Sequence, residues 1–161
     1  MYNSKEIIRR KLINQRLRLT KEQVGSCEQH IYKELISNPL IINAKTIGAY
    51  HAIKNELSLE KFIKWANANK KEIYIPQKRS NKEYSFSINQ LDVILVPCVG
   101  LDIDGNRIGY GKGIFDRLLS DIKAITIGVV YDFQIINSVP TEDHDIQLNH
   151  VIAIPLPHTC F

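Results

Sequence analysis

Three glycines alternate in Arg107-Ile108-Gly109-Tyr110-Gly111-Lys112-Gly113-Ile114-Phe115-Asp116-Arg117. The stretch lies between an apolar, strand-like run at Val93 to Val99 and a helix-like segment at Ile114 to Leu119. Glycine permits the backbone conformations and the close approach that phosphate oxygens require. A helix start adds free N–H groups and the positive end of a dipole. Arg107, Lys112 and Arg117 add cations, and Asp116 is the hard oxygen ligand that a phosphate-bound Mg2+ takes. These residues predict a nucleotide-triphosphate site. They are not a Walker A loop, because Gly113 follows Lys112 where that motif needs Ser or Thr. The dinucleotide G-x-G-x-x-G spacing fails as well.

Such a loop needs a strand before it and a helix after it. Val93 to Val96 is continuously apolar and stopped by Pro97, the pattern of a central strand covered on both faces. Residues 4–18 predict a helix with Ser4 as N-cap and Ile7, Ile8, Leu12 and Ile13 as its apolar stripe. Residues 19–36 predict a second, with Thr20 and Gln23 in capping-box positions. A third is capped by Ser58 and carries Leu59, Phe62, Ile63 and Ala66. Further strands are expected at 46–52, 72–75, 84–88, 124–131 and 151–154, with a polar turn or loop at 77–83. Strands alternating with helices predict an α/β layered fold with a mainly parallel sheet. Ligands in such folds sit at the C-terminal ends of strands, where the glycine loop would be.

The chain of 161 residues is long enough for one domain with a substantial core. Its apolar share of 44% and charged share of 24% are those of an ordinary globular protein. The longest apolar run, near Val93 to Leu101, contains a proline and is too short to span a bilayer. A net charge of +4 suits an enzyme with anionic substrates, and would also suit weak nucleic-acid binding. Lys5, Arg9, Arg10, Lys11, Arg16, Arg18 and Lys21 crowd the N-terminal stretch, but apolar residues interrupt them and no basic stripe interleaved with aromatics occurs elsewhere. Nucleic acid and membrane are therefore not expected as partners. Cys27, Cys98 and Cys160 are far apart and form no C-x-x-C pair, which fits free thiols in a reducing cytoplasm. The charged N-terminus lacks an apolar signal region, so a cytoplasmic protein is expected; a monomer is the expected state.

The string from Asp92 to Asp102, followed by the glycine stretch from Arg107 to Arg117, resembles the 5-formyltetrahydrofolate cyclo-ligase (5,10-methenyltetrahydrofolate synthetase) family. Three more segments match it in order. They are Lys5 and Arg9 with Arg16, Leu19 and Thr20; Tyr50 to Leu57, ending near Glu56; and Gly128 to Tyr131 with Gln134, Pro140 and His144-Asp145. The resemblance implies a three-layer α/β/α domain with a mainly parallel central sheet, of the NagB/RpiA/CoA-transferase-like type. It implies an enzyme in which MgATP phosphorylates the formyl oxygen of 5-formyltetrahydrofolate. The neighbouring amine then closes the ring, releasing ADP and phosphate.

Carried over by position, Lys5, Arg9, Arg107, Ile108, Gly109, Tyr110, Gly111, Lys112, Gly113, Ile114 and Phe115 are the expected ATP contacts. Arg107 and Lys112 are the expected catalytic cations. His51 and Glu56, with Tyr110, Gly111, Lys112, Gly113 and Ile114, would border the folate, with or without a polyglutamate tail. Asp116 and Asp145 would hold Mg2+. A carboxylate accepts hydrogen bonds only, which suits Glu56 to the adjacent N–H donors of a pterin. Without the resemblance, Glu56 reads as a surface residue before a helix and His144-Asp145 as an exposed turn. The family usually has two tyrosines where Ile114 and Phe115 stand, and a longer segment than 77–91, which there supplies aromatic walls to the folate pocket.

Several residues read as ordinary structure. Arg10, Lys11 and Arg18 fit a solvated helix face, Trp65 packs against the sheet, and Cys98 fills the core. Tyr110 either covers the substrate or faces solvent. Two alternatives share the ATP loop: a relative acting on another small N-formyl or amide substrate, and a nucleotide- or folate-binding protein without turnover.

Overall fold

The computed structural model describes residues 3–81 and 83–158; Cys160 lies outside them. Among the described residues the chain forms α1 (Ser4–Leu17), α2 (Lys21–Ser37), α3 (Pro39–Asn43), β1 (Thr46–Gly48), α4 (Glu60–Ala68), β2 (Glu72–Tyr74), β3 (Gln77–Lys78) and β4 (Tyr84–Ser85). There follow β5 (Gln90–Pro97), β6 (Gly100–Leu101), β7 (Arg107–Ile108), α5 (Ile114–Asp121), β8 (Lys123–Tyr131), a 3-10 turn at Asp132–Gln134 and β9 (His150–Ile154).

The apolar run of β5 is buried on both faces because each face meets a different layer. Val93 and Leu95 pack with Ile31 and Leu35 of α2 and Phe62 and Ala66 of α4. Ile94 and Val96 pack with Leu118 and Leu119 of α5 and with Phe86. The result is a three-layer α/β/α arrangement. Beyond the C-terminal end of β5, Leu12 of α1 joins Val99, Ile108 and Val139 in a third apolar cluster. That cluster seats α1 against the end of the sheet from which the glycine loop emerges.

The five-stranded sheet has the order β2-β1-β5-β8-β9, with every pairing parallel. From β1 the chain first adds β2 on one side and later β5 on the other. The order therefore reverses between β1 and β5, and the crevice at their C-terminal ends is the favoured place for a ligand in an open α/β sheet. Both candidate segments leave from there: Tyr50 to Leu57 follows β1, and the β6–β7 hairpin that leads into the glycine loop follows β5.

Most expected elements are present with shifted ends. Asn3, not Ser4, caps α1, its Oδ1 accepting from the Lys5 N–H at 3.1 Å; Asn caps as well as Ser does. The Thr20 and Gln23 capping box forms as expected. The cap of α4 is Leu59 without a side-chain bond, while the Ser58 hydroxyl accepts from Glu60 N–H at 3.3 Å. The strand expected at 46–52 stops pairing at Gly48, because the next residues leave the sheet to build the Glu56 turn. Of the segment expected as a polar turn or loop at 77–83, only β3 at its start is strand, and it pairs with β4, within the strand expected at 84–88, in an antiparallel hairpin.

β6 and β7 form a second hairpin, and its turn is held by one carboxylate. Asp102, 2% exposed, accepts from the N–H groups of Asp104, Asn106 and Val139 and from the Asn106 side chain. Burial acts to raise the Asp102 pKa, but these donors outweigh it and lower it. Gly105 stands in the same turn at φ 87°, and a Cβ there would lie 2.2 Å from the Leu148 carbonyl oxygen. Gly105→Ala should therefore cost about 2 kcal/mol or more through left-handed strain and the clash. A lower urea midpoint at unchanged slope would show this; an unchanged midpoint would mean that the Leu148 segment yields freely.

Candidate active site

The β6–β7 hairpin turns the chain back so that residues 109–113 cross the end of the sheet and enter α5. Gly111 (φ 94°) and Gly113 (φ 63°) take left-handed conformations that side chains resist. Gly113 is the N-cap of α5 and supplies no side-chain acceptor, so the helix start keeps donors for an external anion. A Cβ on Gly111 would stand 3.3 Å from the Arg9 guanidinium carbon, so glycine lets that cation approach the loop.

One cavity of about 750 Å³ collects the sequence-expected residues. Lys5, Arg9, Glu56, His51, Asp116, Asp145 and the whole stretch Arg107 to Phe115 line it. Lys5 and Arg9 are one turn apart on α1. Lys5 Nζ meets Asp145 Oδ2 at 2.5 Å, and Arg9 Nε donates to the Gly109 carbonyl at 2.7 Å while its Nη1 pairs with Glu6. Arg107 lies buried over the Phe115 ring, with Nη2 at 3.1 Å from Asp116 Oδ1. Its Nε is buried without a hydrogen-bond partner among the described residues, a donor direction left for a ligand. Lys112 is exposed at the rim.

The two candidate metal carboxylates are neighbours through the backbone: Asp116 Oδ1 accepts from the N–H of Ile146, the residue after Asp145, at 3.3 Å. Each already faces a cation. Burial acts to raise the Asp145 pKa, but the Lys5 hydrogen bond, the Glu142 N–H and nearby positive charge together lower it. Among the described residues no group of three or more His, Cys, Asp and Glu side chains is gathered as a metal cage.

Glu56 occupies the other half of the cavity and is 5% exposed, not a surface residue. Lys54 (φ 48°) and Asn55 (φ 61°) are both left-handed, and the tight turn they make folds the Glu56 side chain back. Its Oε2 accepts from Ile53 N–H at 3.0 Å and its Oε1 from the Tyr110 hydroxyl at 3.0 Å. Desolvation raises the Glu56 pKa, opposed by the Ile53 N–H, the Arg16 charge, the Tyr110 hydroxyl and Lys54. Tyr110 lines the cavity half-buried, and its hydroxyl bridges Arg16 and Glu56. His51 stands at the rim, exposed, with Nδ1 3.2 Å from Glu60 Oε1.

Two residues in this arrangement are not among the expected site residues. Arg16 is 1% exposed and reaches Lys54 O, Cys98 O and Tyr110. A clue existed: Lys5, Arg9, Leu12 and Arg16 recur at helical spacing, so α1 buries a face that is largely cationic. Tyr84, delivered by the β3–β4 hairpin, lines the cavity with Ile75 and Pro76, so the short 77–91 segment still gives an aromatic wall. Cys98 is a buried filler, its thiol pushed up to about 12 by burial. Trp65 stacks on Phe62 at 6.0 Å and packs against the core.

The model of the 5-formyltetrahydrofolate cyclo-ligase family matches residues 1–88 and 81–154. A 5-formyltetrahydrofolate cyclo-ligase of Mycoplasma pneumoniae is 29% identical, over 92% of this chain and 97% of that protein. A solved structure of a 5,10-methenyltetrahydrofolate synthetase from Mycoplasma pneumoniae superposes with a TM-score of 0.82 at 28% identity, covering 93% of this chain and 98% of that one. The Aquifex aeolicus 5,10-methenyltetrahydrofolate synthetase gives 0.84 at 26% identity, covering 95% and 90%. Among the described residues no helix is long and apolar enough to cross a membrane.

Burial first, and the Glu56 charge second, push the Tyr110 hydroxyl up to about 12. A raised folded value contributes stability that is present below the unfolded pKa near ~10 and is lost as pH rises through the folded one. Phenolate absorbance at about pH 10–11 should therefore be the same in Tyr110→Phe as in the parent. A loss of signal there would place Tyr110 in contact with water instead.

Proposed function

The chain belongs to the 5-formyltetrahydrofolate cyclo-ligase family, a family of enzymes, and we propose that it converts 5-formyltetrahydrofolate and ATP to 5,10-methenyltetrahydrofolate, ADP and phosphate, with Mg2+. The observation that carries this reading is the joint cavity. It offers four cations and a glycine loop on one side, and a buried carboxylate on the other.

Glu56 has one lone pair on each oxygen engaged by the protein. A carboxylate has about four such sites, so one on each oxygen stays available. Two adjacent N–H donors, as on the amino-pyrimidinone edge of a pterin, fit that pair. Tyr84, Ile75 and Pro76 offer apolar surface to the ring. On the other side Lys5, Arg9, Arg107 and Lys112 suit the triphosphate, with the unpartnered Arg107 Nε as a ready donor.

In the proposed reaction the formyl oxygen attacks the γ-phosphorus and ADP leaves. The neighbouring folate amine adds to the activated carbon, phosphate departs, and the amine proton is lost. Arg107 and Lys112 neutralise charge on the transferring phosphoryl group, while Glu56 holds the pterin so that the formyl group faces it. Two adjacent hard carboxylates suit Mg2+, which keeps most of its ligands as water and phosphate. Asp116 and Asp145 would hold that ion, which when bound supplies neutralisation of phosphate charge. The protein is proposed to act as a monomer in the cytoplasm.

Near-ultraviolet absorbance tests the reading, because the methenyl bridge extends conjugation that the substrate lacks. Absorbance at longer wavelength should rise only when MgATP and 5-formyltetrahydrofolate are both present. Asp116→Ala should lower kcat roughly 100-fold, with little change in folate binding. Glu56→Ala should raise the folate KM roughly tenfold or more. Binding of both ligands without any absorbance rise would indicate a binding protein instead. Turnover untouched by Asp116→Ala would refute the metal assignment.

A further inference from the structure

Arg16 is the one charged side chain among the largest fully buried residues described, and its partners are two carbonyl oxygens and a phenol rather than a carboxylate. Each partner belongs to a different part of the site. Nε donates to Lys54 O at 2.9 Å, within the left-handed turn; Nη1 donates to Cys98 O at 3.3 Å, just past β5; Nη2 donates to the Tyr110 hydroxyl in the glycine loop. Asn55 Nδ2 returns a bond to the Arg16 carbonyl at 3.2 Å, and the Tyr131 hydroxyl holds Asn55 O at 2.9 Å. Both left-handed residues thus have their carbonyls pinned, and non-glycine residues keep such conformations only where their surroundings enforce them.

The Tyr110 oxygen has one proton to give. With a guanidinium donating to that oxygen, the proton must point away from Arg16, and Glu56 Oε1 lies at 3.0 Å to receive it. We propose that Arg16 is a positioning residue for folate binding: by pinning the 53–56 turn and giving the Tyr110 hydroxyl one direction in which to donate, it aims the Glu56 carboxylate into the cavity. This rests on the reading of Glu56 as the pterin carboxylate. The other ionisable groups around Glu56 are Lys54 on its own turn, Tyr50 after β1, Cys98 after β5 and Tyr131 at the end of β8. Lys54 Nζ lies 5.2 Å from the Tyr110 ring centroid, on the exposed side. Of the two cations, Arg16 alone is buried with the phenol.

Calorimetric titration with 5-formyltetrahydrofolate alone, from acid to mildly alkaline pH, tests this in the parent, Arg16→Lys, Tyr110→Phe and Glu56→Gln. A lysine keeps the charge but cannot reach three acceptors. Arg16→Lys and Tyr110→Phe should each weaken folate binding about tenfold. They should also move its acid limb to higher pH, by up to about one unit, because Glu56 then protonates more easily. MgADP binding should change far less, and Glu56→Gln should weaken binding and erase the acid limb. Weaker binding with the limb unmoved, or equal losses for folate and MgADP, would make Arg16 a packing residue and overturn the proposal. Normal binding by both Arg16→Lys and Tyr110→Phe beside a weak Glu56→Gln would overturn the proposal and leave the Glu56 reading standing. Normal binding by Glu56→Gln would overturn both. Should Arg16→Lys fail to fold, Tyr110→Phe, which deletes one hydroxyl, decides the matter.

Discussion

A guanidinium taken out of water carries a desolvation penalty of several kcal/mol, recovered only when its donors find well-placed acceptors. Arg16 meets that demand with acceptors drawn from three segments far apart in sequence: the turn after β1, the end of β5 and the glycine loop. Because the penalty falls due if any acceptor moves away, the three segments are held to one mutual arrangement. The apolar cluster of Leu12, Val99, Ile108 and Val139 brings α1 close enough for Arg16 to reach all of them. Hydrophobic burial thus sets the position of the helix, and the buried charge sets the geometry of the site.

The remaining cations follow a different logic. Lys5 and Arg107 border the same cavity, and gathering such charges without counterions is unfavourable. Asp145 and Asp116 supply the counterions. Under the proposed reaction, a triphosphate competing for Lys5 and Arg107 would leave both carboxylates without their cations in the same cavity. The ion pairs are then a resting arrangement that keeps cations and carboxylates in place for ligands of opposite sign. The unpartnered Arg107 Nε fits this picture, since a buried donor retained without an acceptor points to a group that arrives from outside.

How much of this is readable from residues alone depends on the range of the signal. The doubly covered β5, the Thr20–Gln23 capping box and the glycine loop are local patterns, and each appears where its residues predict it. Asn38 followed by Pro39 is likewise a local helix start, and it marks α3, which the apolar periodicity did not single out. Glu56 differs. Its burial depends on left-handed Lys54 and Asn55; asparagine tolerates that conformation, but lysine gives no sign of it as glycine would. Only the family resemblance, and no local pattern, singles out Glu56. Arg16 is the same case in stronger form: a basic residue near a helix end ordinarily faces solvent, and only the tertiary fold shows three acceptors around it. The bridge that the Tyr110 hydroxyl makes is likewise illegible locally, because its partners lie 54 and 94 positions away in the chain.

The strand order explains why these long-range contacts converge. β1 and β5 pair in register, Ile47 with Val93 and Gly48 with Ile94, and the two halves of the site leave from their adjacent ends. Neighbouring strands stand about 4.8 Å apart, a spacing that backbone hydrogen bonds hold fixed. The sheet therefore sets the base separation of the Glu56 turn and the glycine loop, the proposed pterin and phosphate halves of the site. Gly48 keeps the junction close: a Cβ there would meet Ile94, Leu91 and Phe86 at 3.0 to 3.1 Å. Phe86 in turn anchors the end of the short β3–β4 segment, so the hairpin that carries Tyr84 is tied to the same pair of strands. A ring closure between two groups of one bound molecule needs reacting atoms held within about 3–3.5 Å. Under the proposed reaction Glu56 must hold the substrate to that precision, and sheet spacing alone cannot fix a carboxylate on a loop eight residues past the strand. Arg16 supplies the missing constraint, extending the rigidity of the sheet through Lys54 and Tyr110 to Glu56.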